Sequence, residues 1–206
     1  MFAKLLSHPG VHEVVELRSR FGFLAFHGGS LERVTDSIAA GAAAAAGASL
    51  YAVIQPREFR WHVPSSRFDP AVSPRLAAFV DHVDVAIAVH GYGRGGYFTT
   101  MLLGGRNREL AGDLGRRLSR RLAHYTVLDE LERIPKALRG LHDDNPVNRP
   151  RLAGVQLELP PRVRGMGPYW GDWRLDRPNP HTEALIETLA DTAAAWTERL
   201  GAPVTG

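Results

Sequence analysis

"FLAFHGGSLE", residues Phe23 to Glu32, decides how this chain is read. Its first half is an apolar run of strand type. A histidine, two glycines and, five positions after the histidine, a glutamate follow. Glycine allows positive φ and close backbone approach. The segment therefore predicts a strand that ends in a tight turn, with an imidazole and a carboxylate brought together across it. Such a pair is half of a metal site, and the other half must come from strands that end nearby.

A second stretch has the same design. "DVAIAVHGYGRGG", Asp84 to Gly96, delivers His90 from an apolar run into another glycine-rich loop. Around these two the pattern predicts strands over 21–26, 50–54, 83–89, 98–103 and 154–159. Helices are expected over 31–46, 107–124 and 181–200, the first carrying the alanine tract "AAGAAAAAGA", which suits a helix by intrinsic propensity. Strands that are apolar on both faces and alternate with helices predict an α/β fold: a mostly parallel, mixed sheet flanked by helices on both faces. In such sheets ligands bind beyond the carboxyl ends of the strands, where His27, His90 and Glu158 all fall.

The chain of 206 residues is expected to form a single domain over 1–206. With 44% apolar and 23% charged residues it has the composition of a globular protein rather than a disordered one. No apolar stretch reaches the roughly 20 residues of a membrane span. The opening "MFAKLLSHPGVHE" lacks the apolar core of a secretory signal, so a cytoplasmic protein without membrane contact is expected. There is no cysteine, which excludes disulfides, thiolate nucleophiles and cysteine-held zinc. Any metal must be held by imidazole and carboxylate. Lys4 and Lys136 are the only lysines, and arginine carries the rest of the +3 net charge. Acidic residues interrupt the arginines throughout and no basic run is interleaved with aromatics, so nucleic acid is not an expected partner. A monomer is expected.

Glu32 is expected at the start of the helix after the first glycine turn, its carboxylate turned back toward His27. Two imidazoles and one carboxylate leave the fourth position of a tetrahedral zinc open, as catalytic sites require. Each residue alone is also compatible with a hydrogen-bonded loop histidine or a carboxylate set against a helix dipole; the combination is what points to Zn2+ held by His27, Glu32 and His90. His62 and His142, which follow no strand of convincing length, are read as ordinary loop residues, as are the other histidines. In "GVQLELPPRVR", Val155, Leu157 and Leu159 alternate with Gln156 and Glu158, so the two polar side chains share one face. A solvated edge strand gives the same alternation. Beside a metal, Glu158 becomes the candidate general base. Asn148 and Arg149 in "NPVNRPR" could hold a substrate carboxylate by a charged fork and a hydrogen bond, or simply form a polar loop. Arg94 and Ser65 are further candidate substrate contacts.

Taken in order, "HGGSLE", "HVPSSRFDP", "AVHGYGR", "LLGGRNREL", "NPVNR" and "GVQLELP" resemble the phage-type poly-γ-glutamate hydrolase family, whose fold is related to the zinc carboxypeptidases. The resemblance implies a zinc site of His27, Glu32 and His90, Glu158 as catalytic carboxylate, Asn148 and Arg149 near the substrate, and a polyanionic glutamyl substrate cleaved at γ-glutamyl amide bonds. "HDDNPVNRPR" and "GPYWGDWRLDRPNP" are the segments expected to shape the substrate groove. Two other readings stand beside it: a deacylase similar to N-formylglutamate amidohydrolase, with the same metal and a smaller substrate, and a non-catalytic anion-binding module.

Overall fold

A computed structural model of the chain describes residues 1–166 and 179–201. Most of "GPYWGDWRLDRPNP" lies outside the described residues. The elements run α1 (Phe2–Leu6), β1 (His12–Glu16), β2 (Phe21–Gly29), α2 (Thr35–Ala46), β3 (Ser49–Gln55), α3 (Pro74–His82), β4 (Val85–Gly91), β5 (Thr100–Leu103), α4 (Arg108–Arg121), β6 (Thr126–Leu128), β7 (Gly154–Leu159) and α5 (Pro180–Gly201). The seven strands form one mixed sheet in the order β1-β3-β2-β4-β7-β5-β6. The central neighbours β3, β2, β4 and β7 are parallel to one another, and β5 is parallel to β6. β1 runs antiparallel to β3, and β5 antiparallel to β7.

Strict alternation sorts the strand residues between two apolar layers. Phe21, Phe23 and Ala25 of β2, with Val85, Ile87 and Val89 of β4 and Val155, Leu157 and Leu159 of β7, pack under α2, α4 and α5. Leu24 and Phe26, with Ala86 and Ala88, face the opposite layer, where Leu76 and Phe79 of α3 and Phe68 close the core. The alanine tract now has a packing reason: Ala39, Ala42 and Ala43 are fully buried, and Gly41 lies against Ile186 of α5, where small side chains let the helices approach. Among the described residues no helix is long and apolar enough to cross a membrane.

The structure departs from the sequence reading in three ways. α1, β1, α3 and β6 were not anticipated. β2 extends through His27 to Gly29 and β4 through His90 to Gly91, so both histidines belong to their strands rather than to the loops after them. The helix after the first glycine turn starts at Thr35, not Leu31. Residues 31–34 form a turn in which the Glu32 amide donates to the His27 carbonyl (2.8 Å), the Glu32 carbonyl accepts from the Thr35 hydroxyl (2.7 Å), and Val34 has φ of 77°.

Candidate active site

The site forms where β2, β4 and β7 end. His90 follows the parity of Ala86 and Ala88, and so does Glu158, its register partner on β7. Both therefore face the α3 side of the sheet. By the same alternation His27 would point to the other face, with Phe23 and Ala25. It does not, because the β2–β3 register shifts between Ala25 and Gly28. A bulge adds a residue and re-aims the side chain beside it. His27 consequently lies edge-on to Phe68 and to His90, with ring centroids 5.8 and 5.1 Å apart.

The glycine pair makes this geometry possible. A Cβ on Gly28 would stand 2.7 Å from the Asp36 Cβ, and one on Gly29, whose φ is +72°, only 2.2 Å from the Gln55 carbonyl oxygen. No other residue fits that approach without moving the backbone of β3.

Glu32 is the hub. Its Oε1 lies 2.7 Å from His27 Nδ1, its Oε2 3.3 Å from His90 Nδ1, and Oε2 accepts the Gly91 amide at 2.8 Å. Burial works to raise the Glu32 pKa, yet the His27 and His90 imidazoles override it and hold the carboxyl well below the usual range. The same neighbourhood raises His90 against the opposing effect of its burial. His27 Nε2 lies 2.8 Å from the Val63 carbonyl oxygen, and an Nε2 proton donated there would leave Nδ1 as the nitrogen offered to a metal. Tetrahedral zinc with bonds of about 2.0–2.2 Å needs donors roughly 3.3–3.5 Å apart. Glu32 Oε2 and His90 Nδ1 stand at that spacing (3.3 Å), Glu32 Oε1 and His27 Nδ1 are closer, at hydrogen-bond distance (2.7 Å), and the nitrogen–oxygen donor set suits the ion. His62, read as an ordinary loop residue from sequence, comes close from the solvent side. One ligand atom each from His27, Glu32 and His62 lie within 4.8 Å of one another, so the group that clusters this tightly among the described residues holds His62 where the sequence predicts His90.

Glu158 is 4% exposed, and burial pushes its pKa up. Its Oε1 accepts from Gln156 Nε2 at 2.8 Å, and the Gln156 amide is itself oriented by Asn145 Nδ2, which donates to Gln156 Oε1 at 2.8 Å. A cavity of about 780 Å³ opens over these groups; His27, Glu32, His62, Ser65, His90, Asn145 and Glu158 are in its wall.

The sequence matches the poly-gamma-glutamate hydrolase family over residues 5–168. The chain belongs to that family. As a member it is a hydrolase of amide bonds. Among solved structures, a bacteriophage poly-gamma-glutamate hydrolase superposes with a TM-score of 0.78 at 21% identity, covering 95% of each chain. YNDL in its zinc-free apo form gives 0.72 at 21% identity over 88% of each chain. N-formylglutamate amidohydrolase from Ralstonia eutropha JMP134 gives 0.56 at 14% identity, over 93% of this chain and 99% of that one. At these identities the likeness shows a shared fold. No curated protein matches the sequence.

The remaining candidates of this poly-gamma-glutamate hydrolase family member fall differently. Ser65 lines the cavity, its Oγ 3.4 Å from His90 Nε2. Asn148 and Arg149 do not. "NPVNR" makes a tight turn that directs Asn148 Nδ2 onto the carbonyls of Gly140 (2.7 Å) and His142 (3.1 Å), and Arg149 pairs with Asp144 at 3.4 Å. Arg94 is exposed in the second glycine loop, outside the cavity wall. The cations that do line the cavity are Lys136 and Arg139, with His142 and Gly140 beside them. Asp143 and Asp144, the neighbours of His142, pair with Arg106 and Arg149.

Sequence reasoning also missed Arg164. Buried beneath Gly91, it donates to the carbonyls of Arg33 (Nη1, 3.1 Å) and Tyr92 (Nη2, 3.1 Å), tying the loop after Glu32 to the loop after His90. A Cβ on Gly91 would sit 2.6 Å from Arg164 Nη1, so the glycine leaves room for the guanidinium. His62 had a visible signal, as the first residue of "HVPSSRFDP". Arg164 had none, because its partners are distant in sequence.

Proposed function

We propose that the chain is a zinc-dependent hydrolase of γ-glutamyl amide bonds, with a glutamate polymer as its substrate. The observation that carries this reading is the Glu32 carboxylate set between His27 Nδ1 and His90 Nδ1, in one cavity with the buried Glu158. His27, Glu32 and His90 would hold the ion, with His62 at the solvent edge. Bound there, zinc would polarise the scissile carbonyl and make a water more acidic.

The chain's own groups supply the proton handling. Glu158 accepts the proton of the attacking water as the oxygen–carbon bond forms, and passes it to the amine nitrogen as the carbon–nitrogen bond breaks. The products are a carboxylate and a free amine. A raised pKa suits this double duty, because a carboxyl closer to neutral pH both takes and returns a proton readily. Gln156 holds Oε1 and so fixes which way the carboxyl faces. Lys136 and Arg139 line the cavity and would receive substrate carboxylates, Arg139 through the part of its guanidinium not already donating to the Ile134 carbonyl.

Zinc stoichiometry of two variants tests the ligand set. His27→Ala should lose both zinc and activity while keeping its helical circular dichroism. His62→Ala should keep its zinc. One equivalent of zinc and full activity in His27→Ala would overturn the assignment.

A further inference from the structure

A second cavity is lined by residues next in sequence to several that line the first. It has a volume of about 560 Å³ and is lined by Gly29, Ser30, Arg33, Gln55, Arg57 and Arg60. Both cavities are built from the same two segments. The turn after β2 gives Leu31 and Glu32 to one and Gly29, Ser30 and Arg33 to the other; the segment after β3 gives His62 to one and Arg57 and Arg60 to the other. Arg33 thus follows Glu32 directly, and Arg60 is two residues from His62, which at 3.8 Å per residue keeps it within about 8 Å along the chain.

The floor of this cavity is fixed. Gln55 Oε1 accepts the Trp61 amide (2.8 Å) and its Nε2 donates to the Trp61 carbonyl (3.0 Å), while the Ser30 hydroxyl donates to the Phe59 carbonyl and the Ser30 amide to that of Gln55. The polar groups of the floor are therefore already paired. The three arginine side chains are not: all are exposed, and among the described residues none of them forms an ion pair or a side-chain hydrogen bond, although Glu58 lies between two of them in sequence. Elsewhere in the molecule arginines are routinely paired, as Arg106 is with Asp143 and Arg121 with Glu187. Three exposed guanidinium groups in the wall of one concavity make a positive surface that favours an anion. Guanidinium is also the fork that matches a carboxylate bidentately.

We propose that this cavity is a carboxylate subsite that takes the free carboxylates of a γ-linked glutamyl chain next to the bond being cleaved. The inference rests on the γ-glutamyl reading of the neighbouring site and adds to it a specificity element. In a γ-linked chain the amide bonds run through the side chains, and every repeat leaves one α-carboxylate off the main chain. A chain lying across the Glu32 wall presents these carboxylates in series to Arg33, Arg57 and Arg60. A small γ-glutamyl amide does not reach them.

The test uses the full-length protein in two measurements. In the first, fluorescent poly-γ-glutamate is titrated by anisotropy into the Glu158→Gln protein, with and without the added pair Arg57→Gln/Arg60→Gln. Both arginines are exposed, so the fold is not at stake. The pair should weaken binding about twofold to thirtyfold, the combined worth of two exposed charge contacts. The Arg57→Lys/Arg60→Lys pair should fall between, since the charge stays and the fork is lost. A control pair on the far helix, Arg116→Gln/Arg120→Gln, should change nothing. In the second, the arginine pair in the otherwise native protein should raise KM for the polymer and leave kcat/KM for a small γ-glutamyl amide unchanged. Equal polymer binding by parent and arginine pair overturns the subsite, as does an equal loss from the control pair, which would mean non-specific charge. If the polymer binds through these arginines but native protein does not cleave it, the hydrolase reading fails and the subsite stands.

Discussion

Replacing Glu158 with glutamine separates catalysis from metal binding. The side chain keeps its shape in a position that is 4% exposed, and the carbonyl oxygen of the new amide can still accept from Gln156 Nε2, now 2.8 Å from Oε1. What disappears is the ionisable oxygen. Loss of a general acid–base is worth roughly 10²–10⁴ in rate, or about 2.7–5.4 kcal/mol on the barrier at 1.36 kcal/mol per tenfold. Stability should change little, by about 1 kcal/mol or less, because one hydrogen bond loses its charge while the desolvation that raises the Glu158 pKa is relieved. The assay measures kcat on a γ-glutamyl substrate, zinc per protein, and the melting temperature together. Turnover should fall by that factor with zinc unchanged and the melt moved by no more than about 4 °C. Gln156→Leu, which leaves the base but removes the donor that orients it, should lose less activity than Glu158→Gln. Full activity in Glu158→Gln with zinc bound would refute the assignment.

Gly29→Ala should destabilise the protein by about 2 kcal/mol or more, since it forces a side chain into positive φ and against the Gln55 carbonyl, and should lower zinc affinity with it; a melt shifted by less than about 2 °C would contradict this. Zinc retention should also depend on pH. Burial works to lower the His90 pKa, but Glu32 raises it above the ordinary value, so the metal-free site is protonated at higher pH than a free histidine would be. A protonated imidazole cannot ligate, so the apparent zinc affinity, measured by competition with a fluorescent zinc indicator, should weaken progressively on acidification. An affinity independent of pH would count against it.

The central strands were legible because burial on both faces leaves an unbroken apolar run, and β7 has the bounds its alternation predicts, Gly154–Leu159. The missed elements are those whose signal is short or shared with loops. β6 has three residues, and α3 begins at "SPRL", where Ser73 caps Leu76 just after the proline-rich stretch "QPREFRWHVPSSRFDP". For the candidate site, strand ends and glycine turns put His27, Glu32, His90 and Glu158 on the page from sequence alone. The bulge that aims His27 was not visible, because register between two strands is not a local property. The same holds for His62, whose neighbour Val63 meets His27 across 36 residues of chain. Asn148 misled for the opposite reason. Its polar side chain has a purely local use, bonding carbonyls six and eight residues back.

The most direct test of the central claim is to size poly-γ-glutamate after incubation with the purified protein, with the protein stripped by a chelator, and with the stripped protein given back one equivalent of zinc. The polymer should shorten, stay intact, and shorten again. Cleavage that survives complete removal of the metal, or an intact polymer with one zinc bound per chain, would contradict the account.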